Sequence, residues 1–161
     1  MLISNNSSRK ILRLILLLGI VMFTRPFLNA QTVANDIRGT WLVDEKDAHI
    51  KIYLAKNGKY YGKIIWLNEP NEKDGTPKID DENPNPKLQS RPLLGLLMLK
   101  GFSFNEQAKE WSGGTIYDSR AGKTYDAYMK FADENKTTLK LTGYIMGIRQ
   151  FGKTTTWTRA N

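Results

Sequence analysis

The stretch "YDSRAGKTY", residues 117–125, contains Gly122-Lys123-Thr124, the tail of a phosphate-cradling loop. Such a loop needs an earlier glycine in G-x-x-x-x-G-K-[ST], a strand before it and a helix after it, so that a helix N-terminus meets the phosphate. Tyr117 stands at the first-glycine position, and the residues after Lys123 alternate as a strand. The segment therefore reads as a hairpin loop. Asp118 and Ser119 cap the turn, and Gly122 takes positive φ.

Other reactive constellations are sparse. His49 is the only histidine, and it falls on the polar face of a strand pattern. Ser90, Ser103, Ser112 and Ser119 lack an evident base, which a serine nucleophile requires. With one histidine and no cysteine, zinc ligands are nearly absent. Asp74, Asp80, Asp81, Glu82 and Asn83 offer hard oxygen donors, but the ligand order of a calcium loop is missing, so a solvated acidic loop is expected. The sequence assigns no catalytic residue, no metal and no cofactor. Aromatic side chains are plentiful, including Trp41, Trp66, Trp111, Tyr117, Tyr125 and Trp157. Their polar tips need partners when buried, and they suit either a packed core or a ligand cavity.

The elements that must position these residues are strands. "AHIKIYLA" sets Ile50, Ile52 and Leu54 against His49, Lys51 and Tyr53. "KTYDAYMKF" and "TTLKLTGYI" alternate in the same way. Period two with β-branched and aromatic residues predicts half-buried antiparallel strands. About eight are expected, near 38–45, 48–55, 59–67, 96–103, 110–117, 123–131, 137–145 and 150–159. Asn57-Gly58 marks one hairpin. Gly113-Gly114 inside a strand predicts a bulge or a close backbone approach. Even spacing predicts an all-β fold, a meander closed into a barrel or sandwich; the reading adopted is a single antiparallel up-and-down barrel, whose closure removes exposed edges. One segment breaks the rhythm. Residues 68–92 hold five of the six prolines and six acids. A loop this long is either functional or poorly ordered. Asn83-Pro84-Asn85-Pro86 would stiffen it into a lid. "RPLLGLLML", 91–99, returns to the core, with room for a single helical turn.

Residues 1–30 read as a secretory signal peptide. Arg9, Lys10 and Arg13 precede the apolar run 14–23, and cleavage is expected near Ala30. The run is short for a membrane span, so no stable insertion is expected after cleavage. The absence of cysteine excludes a lipoprotein anchor, disulfides and thiol chemistry. The whole chain carries +8, and the leader holds four of the cations and no acid, which leaves +4 on 31–161. That mild basicity, with lysines scattered singly, does not make a nucleic-acid binder. Residues 31–161 are expected to be one domain, periplasmic or secreted, of undetermined oligomeric state.

Gly39-Thr40-Trp41 opens the first strand and Arg159 ends the last, and in a closed barrel these strands are neighbours. Arg159 can then stack on Trp41. This pairing resembles the calycin group of lipocalins, fatty-acid-binding proteins and avidins. The longer run "GTWLVDEKDAHIKIY", "YGKIIWL", "DENPNP", "RPLLGLLMLKGF", "WSGGTIYDSRAGKTYDAYM", "LKLTGY" and "FGKTTTWTR" resembles a bacterial family, domain of unknown function family 2147. That resemblance implies a small secreted or periplasmic calycin-like barrel and no established activity. The chain departs from the family at Asp118-Ser119, where the family tends to carry Asp-Pro.

Strand ends and aromatic polarity select Trp66, Asn83, Trp111, Tyr117, Tyr125 and Arg149 as the expected lining of a barrel mouth. Gly39, Trp41 and Arg159 are expected to be structural. The leading expectation is non-catalytic binding of a small apolar or aromatic ligand, its polar end held by Arg149 or Asn83. One alternative is a hydrolase using Asp80, Asp81, Glu82, Asp118 or Asp126, which requires two carboxylates in one cleft. Another is an envelope interaction module, which requires a large exposed aromatic patch.

Overall fold

The structure, a computed structural model, describes residues 33–160. Eight strands follow in chain order: β1 Gly39–Leu42, β2 Ala48–Leu54, β3 Tyr60–Leu67, β4 Leu97–Asn105, β5 Glu110–Asp118, β6 Lys123–Phe131, β7 Thr138–Tyr144 and β8 Lys153–Ala160. Each pairs antiparallel with the next, and β8 pairs with β1, which closes the barrel. The up-and-down all-β fold expected from the alternation is the one observed. The predicted signal peptide lies outside the described residues.

Alternation does the positioning. In β2 the inward residues Ala48, Ile50 and Ile52 are buried while Lys51 is exposed. Trp41, Trp111, Phe102, Leu99, Met129 and Leu139 are fully buried. Trp111 sits edge-on to Phe131 at 5.2 Å between ring centroids and 4.8 Å from Phe104, and Trp41 lies 6.1 Å from Phe131. These rings fill one half of the barrel. Truncating either buried tryptophan to alanine would cost about 3–5 kcal/mol.

The glycine pair bends β5 as expected. Gly113 has φ +73°, and the ladder to β6 shifts register between Trp111 and Gly114. A Cβ on Gly114 would stand 2.5 Å from the Phe102 ring, so only glycine admits that ring.

Two elements differ from expectation. The last strand begins at Lys153 because residues 145–151 are turns and a short 3₁₀ segment, Arg149–Phe151. Met146 and Gly147 both adopt positive φ there, which ends the ladder. The other 3₁₀ turn is Pro86–Leu88, upstream of the "LLGLLML" run. Asn85 caps it, accepting from the Lys87 amide. At Gly95 the chain has φ +90°, and the Gly95 and Leu96 backbones join Ile64 instead.

Because strands alternate in direction, the β1–β2, β3–β4, β5–β6 and β7–β8 loops share one end of the barrel. The long β3–β4 loop stands at this end. It carries its own bridges, Asn71 with Pro77 and Ile79 with Pro92.

Candidate functional site

The loop-rich end of the barrel opens into a cavity of about 930 Å³. That volume lies in the range of small-molecule sites. Its interior wall is apolar and comes from five strands: Ile64 on β3, Met98 on β4, Ile116 on β5, Leu141 on β7 and Trp157 on β8. Aromatic faces from Tyr117, Tyr125, Tyr144 and Phe151 join them. Gly143 adds no side chain, which leaves room between Ile116 and Tyr125.

The long loop is fastened to the barrel by a buried polar network. Asp80 is fully buried. Its Oδ1 accepts from the Tyr117 hydroxyl at 2.7 Å. Its Oδ2 accepts from Asn83 Nδ2 at 2.7 Å, from Arg91 Nε at 2.8 Å and from Arg91 Nη2 at 2.6 Å. Asn83 Nδ2 also donates to the Tyr117 oxygen at 3.0 Å. A buried carboxylate is tolerable only when paired and hydrogen-bonded, and this one is both. Burial, then the hydrogen bond to Asp80 and the charge of Asp80, push the Tyr117 phenol above its ordinary pKa.

Gly122 completes this fastening and settles the opening motif. It has φ +63°, and a Cβ there would stand 1.9 Å from the Glu82 carbonyl oxygen. The glycine of "GKT" thus lets the β5–β6 hairpin touch the long loop. Lys123 starts a strand, and no helix follows.

The expected lining residues separate. Tyr117 and Tyr125 line the cavity. Asn83 is buried beside it, but its amide nitrogen is engaged by Asp80 and Tyr117. Trp66 is exposed and lies tilted against His49 at 4.6 Å between ring centroids, away from the lining. Trp111 belongs to the packed half of the core. Arg149 makes a bidentate pair with Glu110, at 2.8 and 3.1 Å, and lies 4.4 Å over the Tyr128 ring. Each of these three carries an aromatic or charged group near a strand end. The inside–outside alternation, however, sends Trp66 outward, and β5 places Trp111 at the far end. The apolar wall has no mark in the sequence, because isoleucine, leucine and methionine carry no chemical signal and only the assembled barrel brings them together.

The candidate carboxylates also separate. Asp126 is exposed on β6. Asp81, Glu82 and Asp118 line the mouth, with Glu45, Asp47, Glu69 and Glu72. Among the described residues no group of three or more His, Cys, Asp or Glu side chains is placed to hold a metal ion. The β7–β8 loop exposes Met146 and Phe151, which are 86% and 79% accessible.

A bacterial family described as "Uncharacterized protein conserved in bacteria (DUF2147)" matches residues 39–159, from the first strand to Arg159. The chain belongs to this family. Among solved structures, the DUF2147 barrel is similar to protein HP1028 from the human pathogen Helicobacter pylori, described as belonging to the lipocalin family. The TM-score is 0.64 and identity is 28%, over 78% of this chain and 83% of that one. No curated protein matches. The closed barrel, the Trp41–Arg159 seam and this neighbour together make the DUF2147 chain lipocalin-like.

Proposed function

We propose that this DUF2147 protein is a non-catalytic binding protein of the periplasm or the secreted fraction, holding a small apolar or aromatic ligand in its barrel mouth. The observation that carries the reading is the cavity itself: about 930 Å³, walled by Ile64, Met98, Ile116, Leu141 and Trp157. Filled barrels have no such space, since side chains occupy it. Here the aromatic rings fill only the opposite half. The long loop, tied down through Asp80 and Gly122, supports the reading by flooring one side of the mouth. The lipocalin-like neighbour supports it by analogy of fold, which is an argument about architecture and not about a ligand.

Localisation rests on the leader-like sequence of residues 1–30. Native mass spectrometry of the protein recovered from its own cells tests both parts. A mature chain beginning near Gln31 with a co-purifying small molecule is the expected result. A chain with neither cleavage nor bound mass, and no affinity for an apolar fluorescent probe such as N-phenyl-naphthylamine, would overturn the proposal.

A further inference from the structure

We propose that the ligand of this cavity is cationic: an amphiphile with an amine, guanidinium or quaternary ammonium head and an apolar or aromatic body. The proposal rests on the binding function above and names the class of molecule bound.

The charge around the cavity opposes the charge of the chain. Residues 31–161 carry a net +4, yet seven of the sixteen carboxylates of the sequence line this cavity against three cations. Two of those cations are committed. Arg120 pairs with Glu45 and Asp47, and Lys78 pairs with Glu69. Glu72, Asp81, Glu82 and Asp118 then have no ion-pair partner among the described residues, and Lys153 is the remaining lining cation. A cleft lined by one sign of charge, with low-dielectric walls behind it, concentrates the field and attracts the opposite charge.

The aromatic content points the same way independently. Among the described residues, Tyr125 and Trp157 line the cavity with no arginine over their rings, whereas Tyr117 and Tyr144 already face Arg91 and Arg149 and Phe151 is exposed. Ring faces are negative and attract cations, most strongly where water is excluded. An anionic head would meet both the uncompensated carboxylates and these faces.

Apart from Lys153, which four unpaired carboxylates outnumber, the charged and amide groups near the mouth that could hold an anionic head are already engaged. Arg149 is paired with Glu110 outside the lining. The Asn83 amide donates to Asp80 and Tyr117, and the Tyr117 hydroxyl donates to Asp80. Asp80 is neutralised by Arg91. The exposed carboxylates stand at the mouth and the aliphatic wall lies within, so the ligand enters body first and leaves its cation among Glu72, Asp81, Glu82 and Asp118.

The test uses three compact probes with one shared tail: decyltrimethylammonium, decyl sulfate and neutral dimethyldecylphosphine oxide. Each is titrated calorimetrically below its micelle concentration. The ammonium should bind at least about tenfold tighter than the other two, and raising the salt should erode that margin. A triple variant, Glu72→Gln with Asp81→Asn and Glu82→Gln, alters exposed side chains only. It should lose about tenfold for the ammonium and leave the phosphine oxide unchanged. A filled-cavity variant, Thr155→Trp, should lose both. Equal binding of ammonium and phosphine oxide, or tightest binding of sulfate, overturns the charge assignment and leaves the binding function standing. Ammonium binding that survives Thr155→Trp also overturns it, since the cation would then merely coat the surface. If none of the three binds, both proposals fall together.

Discussion

Arg159 sits over Trp41, its guanidinium carbon 4.3 Å from the ring, and the two are register partners across the β8–β1 seam. The same guanidinium donates to the carbonyls of Lys136, Arg38 and Asp36. The Trp41 indole nitrogen donates to the Ile37 carbonyl. One arginine thus ties the last strand, the β6–β7 loop and the approach to β1 together.

Arg159→Lys keeps the charge and loses the planar fork, so it cannot reach three carbonyls and the ring at once. The expected loss is about 1–3 kcal/mol of unfolding free energy, since hydrogen bonds from charged donors are worth that order each. Urea denaturation measures it. A loss below about 0.5 kcal/mol, the size of an ordinary surface change, would mean that the seam does not depend on this residue.

Gly122→Ala tests the contact between hairpin and loop. Alanine must adopt positive φ and place its Cβ against the Glu82 carbonyl, so one backbone has to move. A destabilisation of about 1–3 kcal/mol is expected from the strained backbone. Faster amide exchange should be confined to residues 78–83 and 118–123. Gly58→Ala is the control: its φ is also positive, but nothing lies within 4 Å. If the two variants behave alike, the close approach contributes nothing.

The barrel was legible because period-two alternation depends only on which face is buried, and that pattern survives in every strand. The seam was legible because a closed barrel makes its first and last strands neighbours. The mouth was only half legible. Tyr125 could be chosen from inward register at a strand end, whereas Tyr117 pairs with the exposed Thr124 on the other face and reaches the lining under the long loop. Trp66 and Arg149 could not be rejected, since a single residue of bulge or turn decides which way they point. The register shift between His49 and Ile50 beside Trp66 is such a bulge. The Asp80–Arg91–Tyr117 network joins residues far apart in sequence across a loop without periodicity. Only its acidity was visible, and that read as solvation.

The network gives a prediction in pH. The Tyr117 phenol is raised in the folded state by burial and by Asp80. The unfolded chain therefore releases this proton first as pH rises. The stability linked to it is fully present below about pH 10, the ordinary tyrosine value, and is lost as pH climbs through the raised folded value. Ultraviolet titration should show a late phenol that Tyr117→Phe abolishes. The same variant removes the hydroxyl from Asp80 and should cost about 1–3 kcal/mol at neutral pH. Asp80→Asn removes the carboxylate from the partly exposed Arg91 and from the Tyr117 hydroxyl and should cost about 1–3 kcal/mol.

The cavity and the lining expected from sequence make different predictions for probe binding. Thr155 faces the cavity from β8, between the wall residues Leu141 and Trp157. Thr155→Trp fills that space and should weaken N-phenyl-naphthylamine at least about tenfold, with a circular dichroism melt close to the parent's. Tyr125→Ala removes a lining ring and should weaken the probe by a similar factor. Trp66→Leu and Arg149→Met alter residues on the outside of the barrel and should leave affinity within about twofold, well under 1 kcal/mol. Arg149→Met also strands the Glu110 carboxylate, so its melting point should fall while its affinity holds. The opposite pattern, affinity lost with Trp66→Leu and kept with Thr155→Trp, would place the probe on the outer β2–β3 surface, where His49 and Trp66 lie in contact.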